Sequence, residues 1–150
     1  MRSPLLALVA ATLLAGGCSR LRSSPSPPQS AGPNVEAREI RYNAVLALLN
    51  RGSPHVKDEG VWDVLTEMLD EEQLLKDFQS QSRDGRPGAG ETAARMTVIG
   101  TLRALRGLHQ KRPEMNLTGL EPLIDKLTQS SNAAVRAEAN EAHRDLFPPT

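Results

Sequence analysis

From Asn34 to Leu146 the apolar residues of this chain return every three or four positions. That is the period of helices that bury one face, and it constrains the fold more than anything else in the sequence. Tyr42, Val45, Leu46 and Leu49 form the first face, with Ile40, Ala44 and Leu48 widening the stripe. Asn34 suits an N-cap, and Gly52 suits the stop, so a helix is predicted from Asn34 to about Asn50. Ser53-Pro54 reads as a cap followed by proline at the first helical position. The next helix then runs to about Leu69 on Val61, Trp62, Leu65, Met68 and Leu69, with Gly60 disturbing its first turn. Glu91 to His109 is a third helix, lined by Ala94, Val98, Leu102, Leu105 and Leu108. Its Gly100 suggests a close approach by a neighbour. Thr118 and Glu121 have capping-box spacing ahead of Leu120, Leu123, Ile124 and Leu127. Asn132 caps a last helix on Val135, Ala139, Ala142 and Leu146.

The segment 70–90 has a different texture. Leu74, Leu75 and Phe78 are apolar, but Asp84-Gly85 and Arg86-Pro87-Gly88-Ala89-Gly90 are turn chemistry. It is expected to be an irregular insertion, with a short helical extension or a hairpin arm as alternatives. The fold class is therefore all-α, with about five helices in one domain spanning 34–147 and a tail at 148–150. The core must be aliphatic, because the aromatics are only Tyr42, Trp62, Phe78 and Phe147. That composition favours packed helices over a sheet. Eighteen basic residues balance eighteen acidic ones. No basic excess exists to hold a phosphate backbone, so nucleic acid is not an expected partner.

The front of the chain is organised separately. Arg2 is followed by an apolar run, Leu5 to Leu14, and then by small residues. This is the anatomy of an export signal, too short for a membrane span. Leu13-Leu14-Ala15-Gly16-Gly17-Cys18 ends in the chain's single cysteine. The stretch resembles the lipobox of bacterial lipoprotein precursors, with Ala15 where leucine is commonest. The resemblance implies cleavage after residue 17, lipid on Cys18, and anchorage in a bilayer of the cell envelope. Ser19 after the cysteine leans the expectation to the outer over the inner membrane. Loss of 1–17 removes Arg2 and leaves the mature chain at about minus one. Residues 18–33 then form a lipid-anchored linker. Within it Ser23 to Pro33 is rich in proline and serine, has nothing to bury, and reads as a spacer.

Three of the helices share a texture. Ile40-Arg41 leads to Ala44-Val45, Ala94-Arg95 leads to Val98-Ile99, and Val135-Arg136 leads to Ala139. In each, an apolar residue and an arginine come first, and small or branched residues follow four places later. The leads Ile40, Ala94 and Val135 stand 54 and 41 residues apart; the second spacing falls within the HEAT range, and the first does too if 70–90 is inserted. The chain resembles a short HEAT-like α-solenoid over Asn34 to Leu146; an unrelated helical bundle would show the same periodicity.

No catalytic, cofactor-binding or metal-binding residue is predicted. His55, His109 and His143 lack companions at ligand spacing. Glu67 with Asp70-Glu71-Glu72 lacks the alternation of a calcium loop and reads as a solvated helix end. Gly85 to Gly90 lacks the Gly-Lys-Ser/Thr ending of a phosphate loop. Trp62 reads as core, or as an exposed anchor for a partner. The expected function is a non-enzymatic, membrane-anchored interaction module with another envelope protein as partner. The alternatives are an enzyme or accessory subunit using 70–90 as a site loop, and a structural spacer.

Overall fold

The computed structural model describes residues 33–81 and 88–148, and they are all-helical. Six α-helices run in chain order: α1 Pro33–Arg51, α2 Glu59–Leu69, α3 Glu71–Gln81, α4 Ala89–Lys111, α5 Glu121–Thr128 and α6 Ala133–Leu146. Short 3-10 turns at Pro54–Lys57 and Thr118–Leu120 lead into α2 and α5. The expected signal, the lipobox-like stretch with Cys18 and the expected linker up to residue 32 lie outside the described residues.

Local chemistry sets several boundaries. Gly52 stops α1 in the left-handed region at φ 68°. There its N–H reaches the Leu49 carbonyl while the Ser53 N–H reaches that of Leu48. This doubled closure needs a residue without a Cβ penalty. Asn132 accepts from the N–H groups of both Ala134 and Val135, satisfying two of the orphan donors of α6. Ser53 accepts from the N–H of His55 as expected, but it opens a 3-10 turn, and α2 proper starts only at Glu59. The capping box does not form. Asn116 Oδ1 takes both the N–H and the hydroxyl of Thr118, so a turn precedes α5.

The expected irregular insertion is corrected over most of its length: Glu71–Gln81 is the helix α3. Asp70 accepts from the Gln73 N–H at 3.2 Å, and Glu71 and Glu72 place negative charge at the positive end of the helix dipole. Leu74 is fully buried, and Arg38 lies over the Phe78 ring at 5.2 Å. Residues 82–87 are outside the described set.

The helix α4 is the centre of the body. It packs against α1, α2, α3 and α6, and α5 completes the set against α2 and α6. Leu102, Leu105 and Leu108 of α4 are fully buried with Leu49, Leu65, Met68, Leu120 and Ile124. Burial of each such leucine stabilises the fold by roughly 1.5–3 kcal/mol. α1 and α4 lie side by side with their C-terminal ends together. Lys111 donates to the Asn50 carbonyl, and Arg112 to that of Gly52 at 3.3 Å. α4 and α6 also run in the same direction. Arg103 and Arg106 meet Glu138 at 2.8 and 3.0 Å, and Arg106 continues to Glu141 at 2.7 Å and Asp145 at 2.6 Å. Two expectations fail here. Nothing lies within 4 Å of a Cβ placed on Gly100, so no helix approaches closely there. Ile40 is 69% exposed, and the buried stripe of α1 is the narrower set Arg38, Tyr42, Val45 and Leu49.

Candidate functional site

An open cleft of about 420 Å³ lies at the start of α2. Its near wall comes from local helix geometry. Glu59, Trp62 and Asp63 stand at i, i+3 and i+4, so they share one face, with Lys57 just ahead on the 3-10 turn. Its far wall is the turn Asn116, Thr118 and Gly119, shaped by the two hydrogen bonds to Asn116 Oδ1 at 2.9 and 2.6 Å.

Gly119 decides how the two walls meet. A Cβ on it would stand 3.0 Å from Trp62 Cζ2, with Cε2 and Cη2 farther away at 3.8 and 3.9 Å. Over the ring face, all three atoms would be met at similar distances. The loop therefore abuts the edge of the indole, and the exposed part of Trp62 lines the cleft. Trp62 is half-buried, so it is both packed against the core and open to solvent. Glu59, Asp63 and Lys57 make no ion pair or side-chain hydrogen bond among the described residues.

A smaller cavity of about 310 Å³ lies between the α2–α3 junction and the end of α5. It is lined by Leu69, Leu75, Leu127 and Ser130 and crossed at its rim by Glu72–Lys126 at 3.2 Å. Within it the Ser130 hydroxyl accepts from the Asn132 N–H at 3.1 Å.

The acidic residues singled out in the sequence are dispersed by the fold. Glu67 accepts from the Tyr42 hydroxyl and faces Arg41, Asp70 caps α3, and Glu72 pairs with Lys126. Burial, followed by the bond to Glu67, pushes the Tyr42 phenol well above its ordinary ionisation range. His55 is exposed beside Asp58, and His143 stands 3.0 Å from Asp125 with its ring edge-on to Phe147. Among the described residues no three His, Cys, Asp or Glu side chains converge as a metal set. Gly88 to Gly90 opens α4, and residues 85–87 are outside the described set. Trp62 stands out in the sequence, and Glu59 and Asp63 share its helix face by spacing alone. The far wall left no signal, because it lies more than fifty residues along the chain. Comparison with protein-family profiles, with curated proteins and with solved structures finds no match.

Proposed function

We propose that this protein is a lipid-anchored, non-enzymatic interaction module of the bacterial cell envelope. The Trp62 cleft is the surface through which it holds another envelope protein. The observation that carries the reading is the combination of a half-open indole with Glu59, Asp63 and Lys57, none of them engaged within the body. A large aromatic with one apolar face and one polar edge is a common anchor at interfaces, where desolvation of a few groups supplies most of the affinity. The lipobox-like stretch ending at Cys18 supports the anchor. Two or three acyl chains at ~0.8 kcal/mol per buried methylene hold essentially permanently. Among the described residues no helix is long and apolar enough to cross a membrane. Ser19 favours the outer membrane.

The body is a short HEAT-like solenoid in this reading. Its support is that the three helices sharing the sequence texture, α1, α4 and α6, touch in that order and run in one direction. α3 and α5 come just before α4 and α6 and pack against them.

Two measurements test the proposal. Metabolic labelling with an acyl precursor should mark the chain in membranes and fail to mark Cys18→Ser. A photo-crosslinker introduced at Asp63 should yield one discrete adduct in intact cells, lost when Trp62→Ala is added. An unacylated wild-type chain removes the anchor, and a crosslinking pattern indifferent to Trp62 removes the cleft.

A further inference from the structure

The Trp62 cleft has the chemistry of a cation site. An indole face attracts a guanidinium or ammonium through its quadrupole, and the attraction grows as the pair is desolvated. Glu59 and Asp63 flank that ring one helical turn apart, so the cleft offers two carboxylates against the one ammonium of Lys57. The Asn116 carbonyl oxygen is already occupied by Thr118, which leaves the carboxylates as the strong acceptors. A guanidinium suits this better than an ammonium: it is planar, stacks on an indole, and keeps its in-plane donors for carboxylates.

The chain supplies such a group itself. Between Cys18 and Pro33 there are two arginines, Arg20 and Arg22, and no acidic residue. We infer that the Trp62 cleft is the docking site of the chain's own Arg20-Leu21-Arg22 segment. Charge complements charge, two cations to an excess of carboxylates. The span also suffices. The cleft lies towards the far end of α1 from Pro33, and α1, with 19 residues, is about 28 Å long. The 11 and 13 residues from Pro33 back to Arg22 and Arg20 cover about 34 and 40 Å at ~3.1 Å each, enough to turn onto the cleft. A tethered ligand of this length is present at an effective concentration on the order of millimolar, so even weak contacts fill the site. Docking shortens the distance between anchor and body. A partner bearing a basic side chain must displace the segment, and displacement extends the tether. The inference goes beyond the proposed function: the docking itself does not require the lipid, and only its effect on reach rests on the proposed anchor.

Trp62 is the only tryptophan in the chain, so its fluorescence reports on the cleft directly. The test uses the mature chain from residue 18 carrying Cys18→Ser, in solution. The double variant Arg20→Ser/Arg22→Ser should raise the acrylamide quenching constant of Trp62 about twofold, and so should Glu59→Gln/Asp63→Asn. Circular dichroism should be unchanged in both. A synthetic peptide of residues 19–33, added in trans, should restore protection to the arginine double variant and not to the carboxylate one. Equal quenching in the arginine double variant and its parent overturns the inference. So does emission that shifts on dilution of the parent, which would place a second copy in the cleft. Membrane fractionation plays no part, so failure of the latch and failure of the anchor are separate results.

Discussion

The Tyr42 hydroxyl donates to Glu67 Oε1 at 2.7 Å, joining α1 to α2 while Arg41 stands 3.5 Å from the other carboxylate oxygen. Burial first, and then this bond, hold the phenol neutral well above its ordinary value of 10.0. The folded state therefore keeps a proton that the unfolded state releases from about that pH upward. The contribution is complete below pH 10.0 and is lost as pH rises further. Urea denaturation across an alkaline pH series should show a plateau followed by a decline. Tyr42→Phe should lower the plateau by about 1 kcal/mol and flatten the decline. Tyr42 is the only tyrosine, so tyrosinate absorbance should appear together with unfolding and not before it.

Glu138 is 8% exposed yet charged, and it is tolerated because Arg103 and Arg106 both reach it. The hydrogen bond to Asp145, with those to Glu138 and Glu141, holds the Arg106 guanidinium protonated even more firmly than usual. Glu138→Ala should cost about 1–3 kcal/mol, since it leaves a half-buried guanidinium short of an acceptor. Glu141→Ala, at the exposed rim, should cost under about 1 kcal/mol. Thermal melts of the two variants decide whether the network's weight lies at its buried end.

Arg38 holds α3 in place. Its guanidinium is 2.8 Å from Asp77 and stacks over Phe78, although Arg38 itself is 6% exposed. Arg38→Lys keeps the charge and loses the planar stack, so it should recover less than half of the roughly 1–3 kcal/mol lost in Arg38→Ala. Hydrogen exchange should localise the damage. Amides of α3 are expected to exchange faster, while those of α4 and α6 change little. Uniform acceleration would mean that α3 is not a separable unit.

Gly119 abuts the edge of Trp62, and an added methyl would begin at 3.0 Å from Cζ2. Gly119→Ala should push the indole by a few tenths of an ångström, at about 1 kcal/mol. The emission of the single tryptophan should change, whereas Gly100→Ala, in open space, should leave it unchanged and stabilise α4 by up to about 1 kcal/mol. Steady-state fluorescence and a denaturant titration read both effects.

What the sequence revealed followed from locality. Gly52 and Asn132 act within six residues of themselves, and their chemistry is written in the residues that flank them. α3 was hidden because its apolar content is only Leu74, Leu75 and Phe78, and part of its support is a charged side chain, Arg38, 39 positions earlier. A hydrophobic pattern cannot register an arginine that packs through its guanidinium plane. The buried stripe of α1 is narrower than its periodicity for a related reason. Periodicity gives the direction of a buried face, but the neighbours set its width, and none covers Ile40. At the candidate site the near wall shares a helix face and was legible in principle. The far wall depends on a turn whose position only the folded chain supplies.

The contacts of α4 with four of the other five helices bear on how this body can be cut. A protease nick within α4 would strand α1, α2 and α3 from α6 and leave leucines of both pieces facing water. Neither fragment retains an aliphatic interior of its own. Limited digestion should thus turn the protein from whole to debris once α4 is severed.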